Sequence, residues 1–219
     1  DITSTVTRPP GLTADISAKA LTVTGMTANN KTYDGGTVAT LSGGSLSGVM
    51  GSDTVTLGSS TGTFADKNVG TGKAVTASGI TLDGTDAGNY TVTQPTGLTA
   101  DISAKALTVT GMTANNKTYD GGTVATLSGG SLDGVIGLET VTFSGQTGTF
   151  ADKNVGTGKT VSVSGITLNG ADAANYTVTQ PTGLTADISA KALTVTGMTA
   201  TNKTYDGSTV ATLSGGSLD

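Results

Sequence analysis

The 219-residue chain contains 34 glycines, no cysteine, no histidine and no tryptophan, and aromatic residues make up only 4% of it. Lacking Cys and His, it cannot use thiol catalysis, thiolate zinc sites or a histidine general base. Its net charge of −5 is scattered singly rather than gathered into a basic stripe, which argues against a nucleic-acid partner, and no apolar run approaches the ~20 residues that span a bilayer.

Self-similarity organises everything else. Residues 5 to 19 match 91 to 105 except at Arg8 and Pro10, so residues 1–19 are read as the C-terminal tail of a preceding repeat. Ser4 departs from the pattern, standing where Tyr90 and Tyr176 stand in the later copies. Residues 20–105 and 106–191 are full repeats that align without a gap and differ at 14 of 86 positions. Residues 192–219 match the start of the unit, with Ser208 replacing a glycine, and are read as the N-terminal part of a further repeat. A unit of this length is too long for one coil of a solenoid, whose repeats run to roughly 20–50 residues. The N-terminus has neither the basic nor the apolar region of a signal peptide, and the expectation is a piece of a longer chain.

Within the first full repeat, the Thr- and Val-rich runs predict strands near 20–28, 37–41, 53–57, 61–65, 73–82, 89–93 and 97–104. Short strands at this spacing predict an all-β fold of tandem antiparallel β-sandwich-like modules. Apolar residues change phase across two glycines: Leu107 and Val109 against Met112 and Ala114 around Gly111, and Val161 and Val163 against Ile166 and Leu168 around Gly165. A bulge or bend at each glycine restores one buried face. Between repeats, Ile102-Ser103-Ala104-Lys105-Ala106-Leu107 holds no Gly or Pro, so one module is expected to run almost directly into the next as an elongated rod.

Several residue groups carry more than one reading. Tyr33-Asp34-Gly35 and its copies at 119–121 and 205–207 read as a hairpin turn with a packed Tyr, or as a ligand-stacking Tyr. Asp83, Asp86 and Asn89 could offer oxygens to Ca²⁺ or be turn residues; the second repeat has Asn169, Asp172 and Asn175. Asp66-Lys67-Asn68 reads as a capped, exposed turn. Lys and Asn recur in every unit, the pairing used by isopeptide crosslinks, but lysines are expected to be exposed and no crosslink is expected. Asn30, Asn89, Asn116, Asn175 and Asn202 begin Asn-x-Thr triplets, which a Thr-rich chain also produces by chance. No residue is assigned a catalytic, cofactor-binding or metal-binding role, no cofactor is called for, and no enzyme activity is expected.

The segments Lys31-Thr32-Tyr33-Asp34-Gly35, Gly62 to Gly70, Asn89 to Thr93 and Ala106-Leu107-Thr108-Val109 resemble the glycine-rich, mostly β repeats called YDG and MBG domains. Those repeats occur in very large bacterial surface and secreted adhesins, including filamentous-haemagglutinin-like and biofilm-matrix proteins. The resemblance implies a secreted or cell-surface, extracellular location and a structural spacer, or stalk, with neighbouring repeats of the same chain as its partners; the lack of a long apolar run implies no membrane insertion in this segment. The alternative is a multivalent module with one weak glycan or protein site per repeat, taking cell-surface or matrix polysaccharide. Differences between the two repeats cluster at 47–60, so a site shared by both is not expected there.

Overall fold

The computed structural model describes residues 11–219; Ser4 and the first ten residues of the tail lie outside the described residues. The first repeat forms β1 (Lys19–Ala28), β2 (Lys31–Thr32), β3 (Val38–Ala39), β4 (Leu41–Ser47), β5 (Thr56–Leu57), β6 (Thr61–Phe64), β7 (Gly70–Ser78), β8 (Leu82–Asp83), β9 (Tyr90–Thr93) and β10 (Leu98–Ser103). The second repeat forms β11 (Lys105–Ala114), β12 (Lys117–Thr118), β13 (Val124–Ala125), β14 (Leu127–Asp133), β15 (Thr142–Ser144), β16 (Thr147–Phe150), β17 (Gly156–Ser164), β18 (Thr167–Asn169), β19 (Tyr176–Thr179) and β20 (Leu184–Ser189).

Each repeat is all-β and has the same plan. The first has a three-stranded sheet β4-β1-β9, a five-stranded sheet β2-β10-β7-β6-β3 and a small β5-β8 pair; the second repeats that order as β14-β11-β19, β12-β20-β17-β16-β13 and β15-β18. Most neighbours are antiparallel, but β1 runs parallel to β9 and β2 parallel to β10. These pairings tie the beginning of the repeat to its end, closing one core from one stretch of sequence.

The alternation in β1 explains the inward and outward faces: Leu21 is fully buried, whereas Thr24 and Thr27 face water and meet Ser45 and Ser42 of β4 through paired hydroxyls at 3.2 and 3.1 Å. In the second repeat Val109 and Met112 of β11 pack with Val163 and Ile166, so side chains of the two larger sheets share a core. A second cluster joins Ala125, Phe150, Val161, Ala186 and Ile188.

The strand limits correct the sequence reading at particular places. Leu41–Ser47 is a seven-residue strand, although its Gly-Gly pair resembles a turn. Residues 73–82 do not form one strand; the run breaks at Gly79, and β7 and β8 belong to different sheets. At Gly111 the apolar phase changes without an inserted residue, since Thr110 faces Ser131 and Met112 faces Gly129 in unbroken register. Both strands kink there: Gly111 and Gly129 adopt φ of +70° and +69°, and a Cβ on Gly129 would lie 2.7 Å from the Gly111 carbonyl oxygen. Gly165 is a bend, where the chain leaves β17's sheet for the β15-β18 pair. A register shift falls instead between Ala100 and Ile102 of β10.

The contacts divide the chain into two compact units. The first runs through Lys105 and takes in Ile136–Glu139 and Asp172–Thr177; the second holds Ala106–Val135, Thr140–Ala171 and Val178–Asp219. Residues from Ala192 onward contribute β21 (Val195–Thr201) and β22 (Thr212–Leu218), an antiparallel pair in which every residue is exposed. No helix among the described residues is long and apolar enough to cross a membrane.

Candidate functional site

The most concentrated group of interacting polar side chains lies within the first compact unit, around Tyr33. Its turn is built locally: the Asp34 carboxylate accepts the Gly36 amide at 2.9 Å and the Lys31 ammonium at 2.7 Å, while Gly35 adopts φ +78°. The Tyr33 amide donates to the Ser103 carbonyl at 2.8 Å, and Tyr33 is only 2% exposed. Of the two readings of this Tyr, the packed one is observed.

Around that ring the unit assembles four further side chains. Tyr176 meets it edge-on, centroids 5.4 Å apart and planes at 79°. The Lys67 ammonium stands 5.8 Å from the Tyr33 ring centroid and 2.6 Å from the Glu139 carboxylate, with Asp172 at 3.8 Å. The Tyr33 hydroxyl donates to Glu139 Oε1, and the Tyr176 hydroxyl donates to Oε2 at 2.5 Å. Beside them, the buried Asn175 accepts the Val69 amide at 3.0 Å and donates to Asn68 Oδ1 at 3.3 Å.

Burial alone would push the Glu139 carboxyl up, but the bonds from Lys67, Tyr176 and Tyr33 outweigh it and hold the group at about 2. The hydrogen bond with Glu139, followed by that with Tyr33, raises the Lys67 ammonium. Burial, then the hydrogen bond to Glu139, pushes the Tyr176 phenol up to about 12 and raises Tyr33 in the same direction. All four groups therefore keep fixed charge states across ordinary pH. With a cation and two phenols on one carboxylate, the arrangement acts as a lock that fixes segments against each other.

The first repeat contains the internal part of the same design. Asp53, aligned with Glu139, accepts the Tyr90 hydroxyl at 2.5 Å, and that hydroxyl accepts the Met50 amide at 3.1 Å. Glu139 has one more methylene, and its carboxylate also meets Tyr33 and Lys67. This role was not found from the sequence, although Glu139 is the only glutamate of the chain and stands among the clustered differences at 133–146.

The remaining candidates are placed as follows. In Asp66-Lys67-Asn68, Asp66 does cap the Asn68 amide at 2.8 Å, but Lys67 is half-buried and paired rather than solvated. Asp86 accepts the Thr54 amide at 2.8 Å, Asp83 lies in β8, and Asn89 is exposed; in the second repeat Asn175 is turned into the Tyr33 site. Asn30 and Asn116 accept the amides of Asp101 and Asp187, both at 2.7 Å, and Asn175 is 5% exposed, which closes it to a glycan in the folded state. Lysines are more covered than expected: the side chains of Lys31 and Lys73 are 16% and 13% exposed, each 2.7 Å from an Asp carboxylate. Open clefts of about 400 and 350 Å³ lie at matching places in the two repeats, the first lined by Leu46, Val49, Val55 and Leu57, the second by Leu132, Val135, Val141 and Phe143.

No curated protein and no solved structure matches this chain. The YDG domain family matches twice, over residues 17–97 and 103–183, and each match contains one Tyr-Asp-Gly turn and one copy of the loop that holds Asp53 or Glu139. The chain belongs to the YDG domain family.

Proposed function

We propose that the chain is a structural spacer of a large extracellular bacterial adhesin, secreted or held at the cell surface, whose repeats carry a distal binding region or contribute length to a biofilm matrix fibre. The observation that carries this reading is the use made of the recognition-prone side chains. Tyr33, Tyr90, Tyr176, Lys67 and Glu139 are engaged with one another or with nearby backbone and carboxylates, and three of the five are buried. The outer strand faces instead carry Thr and Ser hydroxyls bonded in pairs, as between Thr61 and Ser78 at 3.0 Å. A glycan array probed with this chain tests the proposal. The expected result is no saturable binding; one saturable polysaccharide site per repeat, lost on filling the cleft beside Val55 and Val141, would replace the spacer with a multivalent binder.

A further inference from the structure

The lock around Tyr33 has a second copy of one half, and that half is open. Tyr119, Gly121, Lys153, Asn154 and Val155 are the residues that align with Tyr33, Gly35, Lys67, Asn68 and Val69, and their types are unchanged. Tyr33 is buried where Tyr119 is half-buried, Lys67 and Val69 are partly covered where Lys153 and Val155 are exposed. A Cβ on Gly35 would lie 3.1 Å from Ile136, whereas one on Gly121 would meet nothing within 4 Å. Lys67 is paired with Glu139, whereas among the described residues Lys153 forms no ion pair.

The other half is also duplicated, with a matching difference. Asn175 is buried against Asn68 and Val69, while its equivalent Asn89 is exposed; Glu139 is half-buried and Asp53 is exposed. Coverage at each half therefore follows the presence of the complementary half, and not the residue types, which hardly change. Residues from Ala192 repeat Ala106–Asp133, a stretch that stops short of the loop position held by Glu139.

We infer that the surface formed by Tyr119, Lys153, Asn154 and Val155 is a docking site for a further repeat of this same kind, which enters it with the loop carboxylate at the Asp53 or Glu139 position and the amide at the Asn89 or Asn175 position. The carboxylate is the determinant. It supplies charge opposite to Lys153 and an acceptor for the Tyr119 hydroxyl, and an ion pair on a covered surface gives orientation more than raw affinity. Glutamate reaches both phenols and the ammonium, so a Glu-bearing repeat holds this surface more firmly than an Asp-bearing one. The inference rests on the paired geometry within the first compact unit and is independent of whether the array is a spacer or a binder.

Lysine acylation tests it, read residue by residue by mass spectrometry. In the chain as it stands, Lys67 should react at least about tenfold more slowly than Lys153, and Glu139→Ala should bring Lys67 up to the rate of Lys153. The chain is then continued after Asp219 with a second copy of residues 134–191, a sequence already folded here. In the continued chain Lys153 should slow to the rate of Lys67, and the same continuation with Ala at the loop carboxylate should leave Lys153 fast. A fall in the exposure of Tyr205 from 94% in the present chain to the half-buried level of Tyr119 reports that the added repeat has folded. Unchanged Lys153 reactivity beside a Tyr205 as covered as Tyr119 would overturn the inference, as would protection that survives loss of the carboxylate.

Discussion

Three copies of one tyrosine stand at three depths: Tyr33 is 2% exposed, Tyr119 is half-buried, and Tyr205 is 94% exposed. The surrounding five residues are nearly the same in each copy, so local propensity cannot account for the series. Tyr205 stands where no five-stranded sheet has been built beneath it. Tyr119 rests on such a sheet, near Ala125 and Phe150, and Tyr33 has both a sheet and the Glu139 lock. The comparison separates what a repeat needs in order to close its core from what it gains when its outer tyrosine is also covered.

The largest effect should come from the shared part. Phe64 and Phe150 are each 2% exposed with a lysine ammonium 5.5 Å from the ring centroid, so Phe64→Ala and Phe150→Ala should each cost about 3–5 kcal/mol. Denaturant unfolding of the two variants should give equal losses, and a marked inequality would break the equivalence of the cores.

Glu139→Gln and Asp53→Asn sharpen the comparison at the lock. The first weakens an acceptor that serves Lys67 and two phenols and should cost about 1–3 kcal/mol; the second touches one phenol and should cost about half as much or less. The acid limb follows from the same group. Because the folded Glu139 carboxyl sits at about 2, below its ordinary value near 4.5, its contribution is fully present above pH 4.5 and is lost as pH falls from there towards 2. Melting curves over that window should flatten in Glu139→Gln relative to the parent chain, and identical pH profiles would show that the lock contributes nothing.

Tyr33→Phe and Tyr119→Phe form a smaller contrast, since only the first hydroxyl is bonded to Glu139. Loss of about 1 kcal/mol is expected for Tyr33 and no measurable loss for Tyr119. The smallest effect concerns the cores: Ala77 is 5% exposed and its equivalent Val163 is 8% exposed, so the bulkier side chain is accommodated inside. Ala77→Val should stabilise the first repeat by about 1 kcal/mol if its core has the same room.

Much of the plan was readable before the structure, and the places where it was not are instructive. The 86-residue period gave the same strand order twice, because near-identical side chains pack alike. Leu41–Ser47 was hidden because Gly43 and Gly44 signal a turn when read alone; in the fold they match the kink of the partner strand at Gly25. The phase change at Gly111 was legible, yet its mechanism was not, since one strand's periodicity does not tell an inserted residue from a kink shared with its partner. The lock was missed for a related reason. Tyr33 and Glu139 lie 106 residues apart, and nothing local to either announces that they meet.

The parallel pairing of β2 with β10 has a mechanical consequence. Tension applied along the chain enters the first repeat through the start of β1, passes on to β2, and leaves through the end of β10, drawing the two parallel strands past one another. Their hydrogen bonds, and those between β1 and β9, then lie across the direction of sliding and resist together instead of opening one at a time as they would in a peeled hairpin. A repeat built this way is expected to hold its length until it yields as a whole, releasing on the order of 30 nm of chain at ~3.5 Å per residue, a step that single-molecule pulling would read.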